Sequence, residues 1–225
     1  MSGIGVFDIL GPIMVGPSSS HTAGAARLGK VARTIAGSEV SEVTFLLHGS
    51  FAKTYKGHGT DRALVAGIMG MNPSDDRLRD SIKLAKEKGI MIKFVEGDLG
   101  DYHPNTVKII IKCVDGRTCE VVGSSIGGGN IEITEVDGNR VKFTGTYNTI
   151  ITSHKDVPGA VAKITSILYS HGINIAFMNL NRKQKGKNAT MIFEVDSKVS
   201  KEIIEKIKEI DGIEKVILIN KVEEE

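Results

Sequence analysis

The sequence predicts a two-domain chain of mixed α+β and α/β class. An N-terminal mixed αβ domain, residues 1–146, comes first. A ferredoxin-like βαββαβ domain, residues 147–225, follows it. Three observations carry this prediction. Apolar residues Ala25, Leu28, Val31, Ala32 and Ile35 recur at helical spacing near the start. The second half reads strand, helix, strand, strand, helix, strand, which is the ferredoxin-like order. The Asp137-Gly138 turn and the Thr144-Gly145-Thr146 stretch separate the two patterns.

In the first region a helix is expected from Ser20 to Ile35, with Ser18, Ser19 or Ser20 as its N-cap and Gly37 as its stop. A strand, Glu42 to His48, comes next, then a glycine-rich loop, then a helix from Asp61 to about Met69. Asn72 to Asp75 reads as a turn and cap, Asp76 to Lys88 as a charged amphipathic helix, and Met91 to Val95 as a strand. Asn105 to Phe143 reads as several strands interrupted at Gly127-Gly128-Gly129-Asn130. In the second region the expected strands are Asn148–Ser153, Asn174–Arg182, Ala189–Val195 and Val216–Ile219, with helices at Gly159–His171 and Ser200–Ile210. Ile203, Ile207 and Ile210 lie on one face of the last helix.

With 225 residues, 40% hydrophobic and 25% charged, the chain has an ordinary globular composition and can bury a real core. Its net charge of +2, from 29 basic and 27 acidic residues, is not the basic excess of a general nucleic-acid surface. Glu223, Glu224 and Glu225 read as solvated. No run approaches the ~20 apolar residues of a membrane span. Met1 to Asp8 lacks the basic start of a signal peptide, so cytoplasmic residence is expected.

Cys113 and Cys119 flank the Asp115-Gly116-Arg117 turn of an expected hairpin. Facing each other they can form a disulfide or half a metal site. We read them as two small, half-buried strand side chains. Two thiolates do not hold a [4Fe–4S] cluster, which takes more cysteine ligands. Any such cluster therefore sits mainly on another chain.

Three polar motifs carry chemistry. In Gly16-Pro-Ser-Ser-Ser-His-Thr22, four hydroxyls and a histidine meet a helix start, where unpaired N–H groups and the helix dipole favour an anion. One serine would suffice for a cap. In the second motif, His58 lies between Gly57 and Gly59, which permit positive φ and close backbone approach. A histidine there can move a proton near neutral pH. Asp61 either orients an imidazole or caps the following helix, and capping is the stronger reading. Lys53 can pair with a carboxylate. In the third motif, Asp156-Val157-Pro158-Gly159 forms a strand-to-helix turn whose N–H groups can take an amino acid's carboxylate, or serves only as a turn. Asn174 can hydrogen-bond a ligand or cap a strand edge.

Gly16-Pro-Ser-Ser-Ser-His-Thr22 with Gly57-His-Gly-Thr-Asp61, preceded by Phe7-Asp-Ile-Leu-Gly-Pro-Ile-Met14, resembles the β subunit of bacterial iron–sulfur-dependent L-serine dehydratase. Asp156-Val-Pro-Gly159 and His171-Gly-Ile-Asn-Ile175 resemble an ACT domain. The resemblance covers essentially the whole chain. It implies an α/β complex converting L-serine to pyruvate and ammonia, with a [4Fe–4S] cluster ligated by the α subunit rather than by this chain.

The resemblance further implies that Ser18, Ser19, Ser20, His21 and Thr22 line the substrate side of the α–β cleft, beside His58, Gly59, Thr60 and Asp61. His21 or His58 handles the proton, unranked, and the serine loop binds the carboxylate. Asp156, Pro158, Gly159, Asn174 and Ile175 map to the effector end of the ACT fold. L-serine is then both substrate and candidate effector, and the ACT domain a site of self-association. A competing reading is a non-catalytic anion and amino-acid sensor, similar to the tail of phosphoglycerate dehydrogenase. A complete dehydrogenase would need a dinucleotide-binding Gly-x-Gly-x-x-Gly turn, and Gly127-Gly128-Gly129 does not lead into a helix.

Overall fold

The structure, a computed structural model, describes residues 14–16, 18–182 and 184–221. Most of the Phe7–Met14 segment, Pro17 and the terminal glutamates lie outside the described residues. The chain divides into two compact units, one running through Gly138 and the other from Asn139.

In the first unit a π-helical turn, Ser19–Gly24, runs into helix α1, Ala25–Ala36. Such wide turns are rare and gather at functional sites. The Ser18 side chain accepts from the His21 N–H and so caps the turn. Gly37, at φ 66°, closes α1 in the left-handed conformation that glycine adopts freely. Strand β1, Val40–Leu47, pairs in parallel with β2, Met91–Glu96, and antiparallel with β3, Thr106–Cys113. Then come β4, Thr118–Gly127, and β5, Asn130–Val136, giving the order β2-β1-β3-β4-β5, and β6, Asn139–Phe143, opens the second unit.

The expected glycine-rich loop after β1 is instead a helix, α2, Gly49–His58. Its start is held from outside: the Ser50 and Phe51 N–H groups both donate to the Pro104 carbonyl, and Phe51 is fully buried. This anchoring overrides the poor helix propensity of its glycines. Gly57 is thus an ordinary helical residue, whereas Gly59 takes φ 72° and turns the chain into α3, Thr60–Ile68. A 3-10 turn, Asp76–Asp80, leads into α4, Ser81–Glu87, so the charged segment is helical in two pieces.

Helices α1 and α3 touch backbone to backbone. A Cβ on Gly67 would lie 2.1 Å from the Ala26 carbonyl oxygen, and one on Gly29 2.3 Å from the Leu64 carbonyl oxygen. Only glycine fits on either side. On the sheet, Gly123 of β4 leaves room for the Leu28 and Ile133 side chains. The crossing lies under the fully buried Ala63, Leu64 and Ala66 and brings the start of α1 toward the α2–α3 turn.

The second unit contains β7, Asn148–Lys155, α5, Ala160–Ser170, β8, Ile175–Arg182, β9, Asn188–Val195, α6, Lys201–Lys208, and β10, Ile213–Ile219. The sheet order is β10-β7-β9-β8, the ferredoxin-like arrangement that the sequence pattern predicts. Ile164 and Leu168 of α5 share one core with Ile203 and Ile207 of α6, Ile150 of β7, and Phe193 of β9. Ser200 caps α6, and a Glu202–Lys206 pair at 2.7 Å spans one turn of its outer face.

Candidate functional site

His21 sits in the π-helical turn, 9% exposed, with hydroxyls around both ring nitrogens. Nδ1 lies 3.1 Å from Ser20 Oγ and 3.4 Å from Ser18 Oγ. Nε2 lies 3.1 Å from Thr54 Oγ1 and 3.3 Å from Ser50 Oγ. Thr54 donates its one hydroxyl proton to the Ser50 carbonyl at 2.7 Å, so toward His21 it accepts. The network therefore assigns the proton of a neutral His21 to Nε2, leaving Nδ1 to accept from Ser20. Burial holds the His21 pKa below its ordinary value, and a charge on His58 lowers it further.

The two sequence motifs meet here. The His58 and His21 ring centroids lie 4.8 Å apart with their planes tilted by 38°, and Phe51 packs edge-on to His21 at 5.3 Å. His58 is exposed and lines a cleft of about 200 Å³ together with Gly16, Thr22, Gly59, Arg62 and Arg79. His21 lies beneath. Thr22 is 2% exposed and its hydroxyl has no partner among the described residues. Gly16 admits it: at φ 151°, a Cβ there would meet Thr22 Oγ1 at 2.4 Å.

The other expected residues fall around this centre. Ser18 and Ser20 turn to His21. Ser19 is half-buried. Thr60 is fully buried and its hydroxyl is also unpartnered. Asp61 neither orients an imidazole nor caps α3. Gly59 holds the cap position, and Asp61 accepts from the Arg62 N–H in the first turn at 2.8 Å, with burial raising its pKa. Lys53 is exposed on α2 and does not line the cleft. Sequence reasoning missed Ser50, Thr54, Arg62 and Arg79. The i, i+4 spacing of Ser50 and Thr54 would have joined them on one face had α2 been read as a helix.

The effector set does not close into one pocket within a single chain. Asp156 accepts from the Gly186 N–H and from Arg182, each at 3.0 Å, and these two donors, Gly186 first, hold its pKa down. Asn174 donates to Asp196 at 2.6 Å. Arg182 ends β8 and Asn174 precedes its start, so about 23 Å of strand separates the two ends. Gly159, at φ 90°, starts α5 beside Pro158, while Ile175 is half-buried at the Asn174 end.

The described residues do not fit an iron–sulfur cluster. Cys113 and Cys119 are both buried and form no disulfide, and burial pushes the Cys113 thiol up. Among the described residues, no group of His, Cys, Asp or Glu is placed to hold a metal ion. No described helix is long and apolar enough to cross a membrane.

The fold and the cleft define a protein of two units, an αβ unit with a small cleft lined by a histidine and two arginines, and a ferredoxin-like unit. Comparison with known proteins makes the assignment specific: residues 5–136 match the serine dehydratase beta chain family and residues 148–212 the ACT domain, and the chain belongs to the serine dehydratase beta chain family. It is 43% identical to a probable L-serine dehydratase beta chain of Bacillus subtilis, over 92% of this chain and 94% of that one. It is equally 43% identical to the L-serine dehydratase beta chain of Peptoniphilus asaccharolyticus, over 90% and 92%. A D-3-phosphoglycerate dehydrogenase of Methanocaldococcus jannaschii is 32% identical over 87% of this chain, which spans 37% of that enzyme. The ACT domain of a Chlorobium tepidum GTP pyrophosphokinase aligns over 32% of this chain and 94% of its own, with 20% identity and a TM-score of 0.28.

Proposed function

We propose that this chain, inactive alone, completes the substrate site of an L-serine ammonia-lyase whose [4Fe–4S] cluster is held by an α subunit. On this reading residues 1–146 face the substrate and residues 147–225 sense an amino acid and self-associate. His58 is the proton-handling group, and His21 is a positioning residue. The observation that supports this ranking is the placement of the two rings. Of the two, His58 alone lines the cleft, and it makes no hydrogen bond among the described residues. His21 has both nitrogens engaged, and burial opposes its protonation. His58 takes or returns the proton at the substrate Cα, while His21 and its hydroxyls fix the ring above them. The ACT turn, Asp156 to Gly159, takes the effector carboxylate, with Asn174 and Ile175 at the far end of β8. Exposed Phe177, Met178 and Leu180 on edge strand β8 favour self-association there.

The test is reconstitution with an anaerobically loaded α partner, measuring pyruvate from L-serine. Pyruvate should form only with both chains. His58→Ala should lower turnover about 10²- to 10⁴-fold without preventing assembly. Full activity of this chain alone, or wild-type turnover in His58→Ala, overturns the reading. The likeness to a phosphoglycerate dehydrogenase favours a second reading, a non-catalytic sensor, which inactivity with a loaded partner would support.

A further inference from the structure

The serine loop is the obvious anion site, yet its hydroxyls face inward. Ser18 Oγ and Ser20 Oγ lie against each other at 3.3 Å and against the His21 ring. The positive charge of the cleft comes from elsewhere, from Arg62 at the start of α3 and Arg79 in the 3-10 turn. Neither guanidinium is used in the fold. Arg62 Nε approaches only its neighbour Asp61, at 4.0 Å, and no hydrogen bond or ion pair is recorded for the Arg79 side chain among the described residues. Arg77, two residues away in the same turn, closes tightly on Asp75 at 2.6 Å.

A second observation points to a ligand in the same place. Thr22 lines the cleft and is 2% exposed, and its buried hydroxyl has no partner among the described residues. A buried hydroxyl left unpaired is costly unless something supplies its bond.

We propose that Arg62 and Arg79 form a carboxylate clamp in this cleft, with Thr22 as its third polar contact and His58 beside the bound molecule. A guanidinium matches a planar carboxylate with two parallel N–H donors, which a lysine or a lone hydroxyl cannot do. The cleft, about 200 Å³, suits a small carboxylate of about three carbons rather than a nucleotide. The clamp deepens the dehydratase reading and rests on it for the identity of the occupant as the substrate's carboxylate. Binding of a small carboxylate by this chain does not depend on that reading.

The experiment is an NMR titration of the full chain, following the arginine Nε–Hε signals and the His58 ring. The probe is L-lactate, which has the three-carbon 2-hydroxy carboxylate but no ammonium group for an amino-acid site to hold. Lactamide and inorganic phosphate are the comparison arms. Saturable shifts at Arg62, Arg79 and His58 are expected with lactate and not with lactamide. Arg79→Gln and Arg62→Gln should each weaken binding about tenfold or more, Arg79→Lys should restore part of it, and Thr22→Val should weaken it with both arginine signals in place. Non-saturating shifts, equal binding of lactamide, tighter binding of phosphate, or unchanged affinity in both Gln variants would overturn the clamp. A failed titration with normal pyruvate formation in the reconstituted complex removes the clamp alone. Lactate binding without pyruvate formation removes the dehydratase reading alone.

Discussion

Gly67→Ala puts one methyl group where two helix backbones already touch. The new Cβ would lie 2.1 Å from the Ala26 carbonyl oxygen, 2.7 Å from the Lys30 nitrogen and 2.8 Å from the Gly29 Cα, whereas ordinary contact begins at 3.4 Å. All three neighbours are main-chain atoms, so no rotamer change relieves the clash. The helices must part by more than ~1 Å, and a gap of that size forfeits up to half of each dispersion contact it opens. Overpacking of this kind costs about 3 kcal/mol at the upper end of its usual range. The better helix propensity of alanine returns about 1 kcal/mol. The net expectation is a loss of about 2 kcal/mol, read as a lower midpoint in urea denaturation at unchanged slope. Gly57→Ala is the internal control. It too is helical, but a Cβ there meets nothing within 4 Å, so stability should hold or rise by up to about 1 kcal/mol. A Gly67→Ala midpoint at or above wild type would refute the backbone-contact account of the crossing.

His21 makes stability depend on pH in a definite direction. Its folded pKa lies below the ordinary 6.5, so the folded chain binds fewer protons than the unfolded one as pH falls. Its contribution is complete above pH 6.5 and is lost as pH drops through the folded value. His21→Asn should therefore flatten the acid side of a stability–pH curve, leaving a residual slope from His154, which burial shifts the same way. An unaltered curve would count against a buried neutral ring. In the second unit, Asp156→Ala removes the acceptor of both Gly186 N–H and Arg182. Amide exchange at Gly186 should accelerate, and saturable calorimetric binding of L-serine should weaken. A flat wild-type titration would leave this unit to self-association alone.

The second unit was legible because each element announces itself locally. Ile203 and Ile207 mark a helix face, Ser200 caps it, and Gly172 ends the helix before it. The first unit was legible only where its signals are local, as in α1 with its apolar stripe and Gly37. Helix α2 carries Gly49 and Gly57, which read as loop, and what fixes it is the carbonyl of Pro104, far from it in sequence. Gly29 and Gly67 read as propensity defects, because a close crossing is a property of two segments at once. The histidines stood out by their company of hydroxyls and glycines, but telling them apart needed the fold, which buries His21 and sets His58 on the cleft. Arg62 and Arg79 look like solvated charges until the fold sets both on one cleft.

The Ser18 oxygen has a consequence for how the serine loop can be used. A hydroxyl offers one proton and two lone pairs. Ser18 Oγ already meets the His21 N–H at 3.3 Å, Ser20 Oγ at 3.3 Å and His21 Nδ1 at 3.4 Å. Ser20 spends its own proton on Nδ1, so the single Ser18 proton is committed to Ser20 Oγ or shared with the imidazole. A carboxylate, which can only accept, must draw that proton away from them. Occupying the loop and loosening the mooring of the imidazole are thus a single event, and the oxygen works as a latch rather than as a socket.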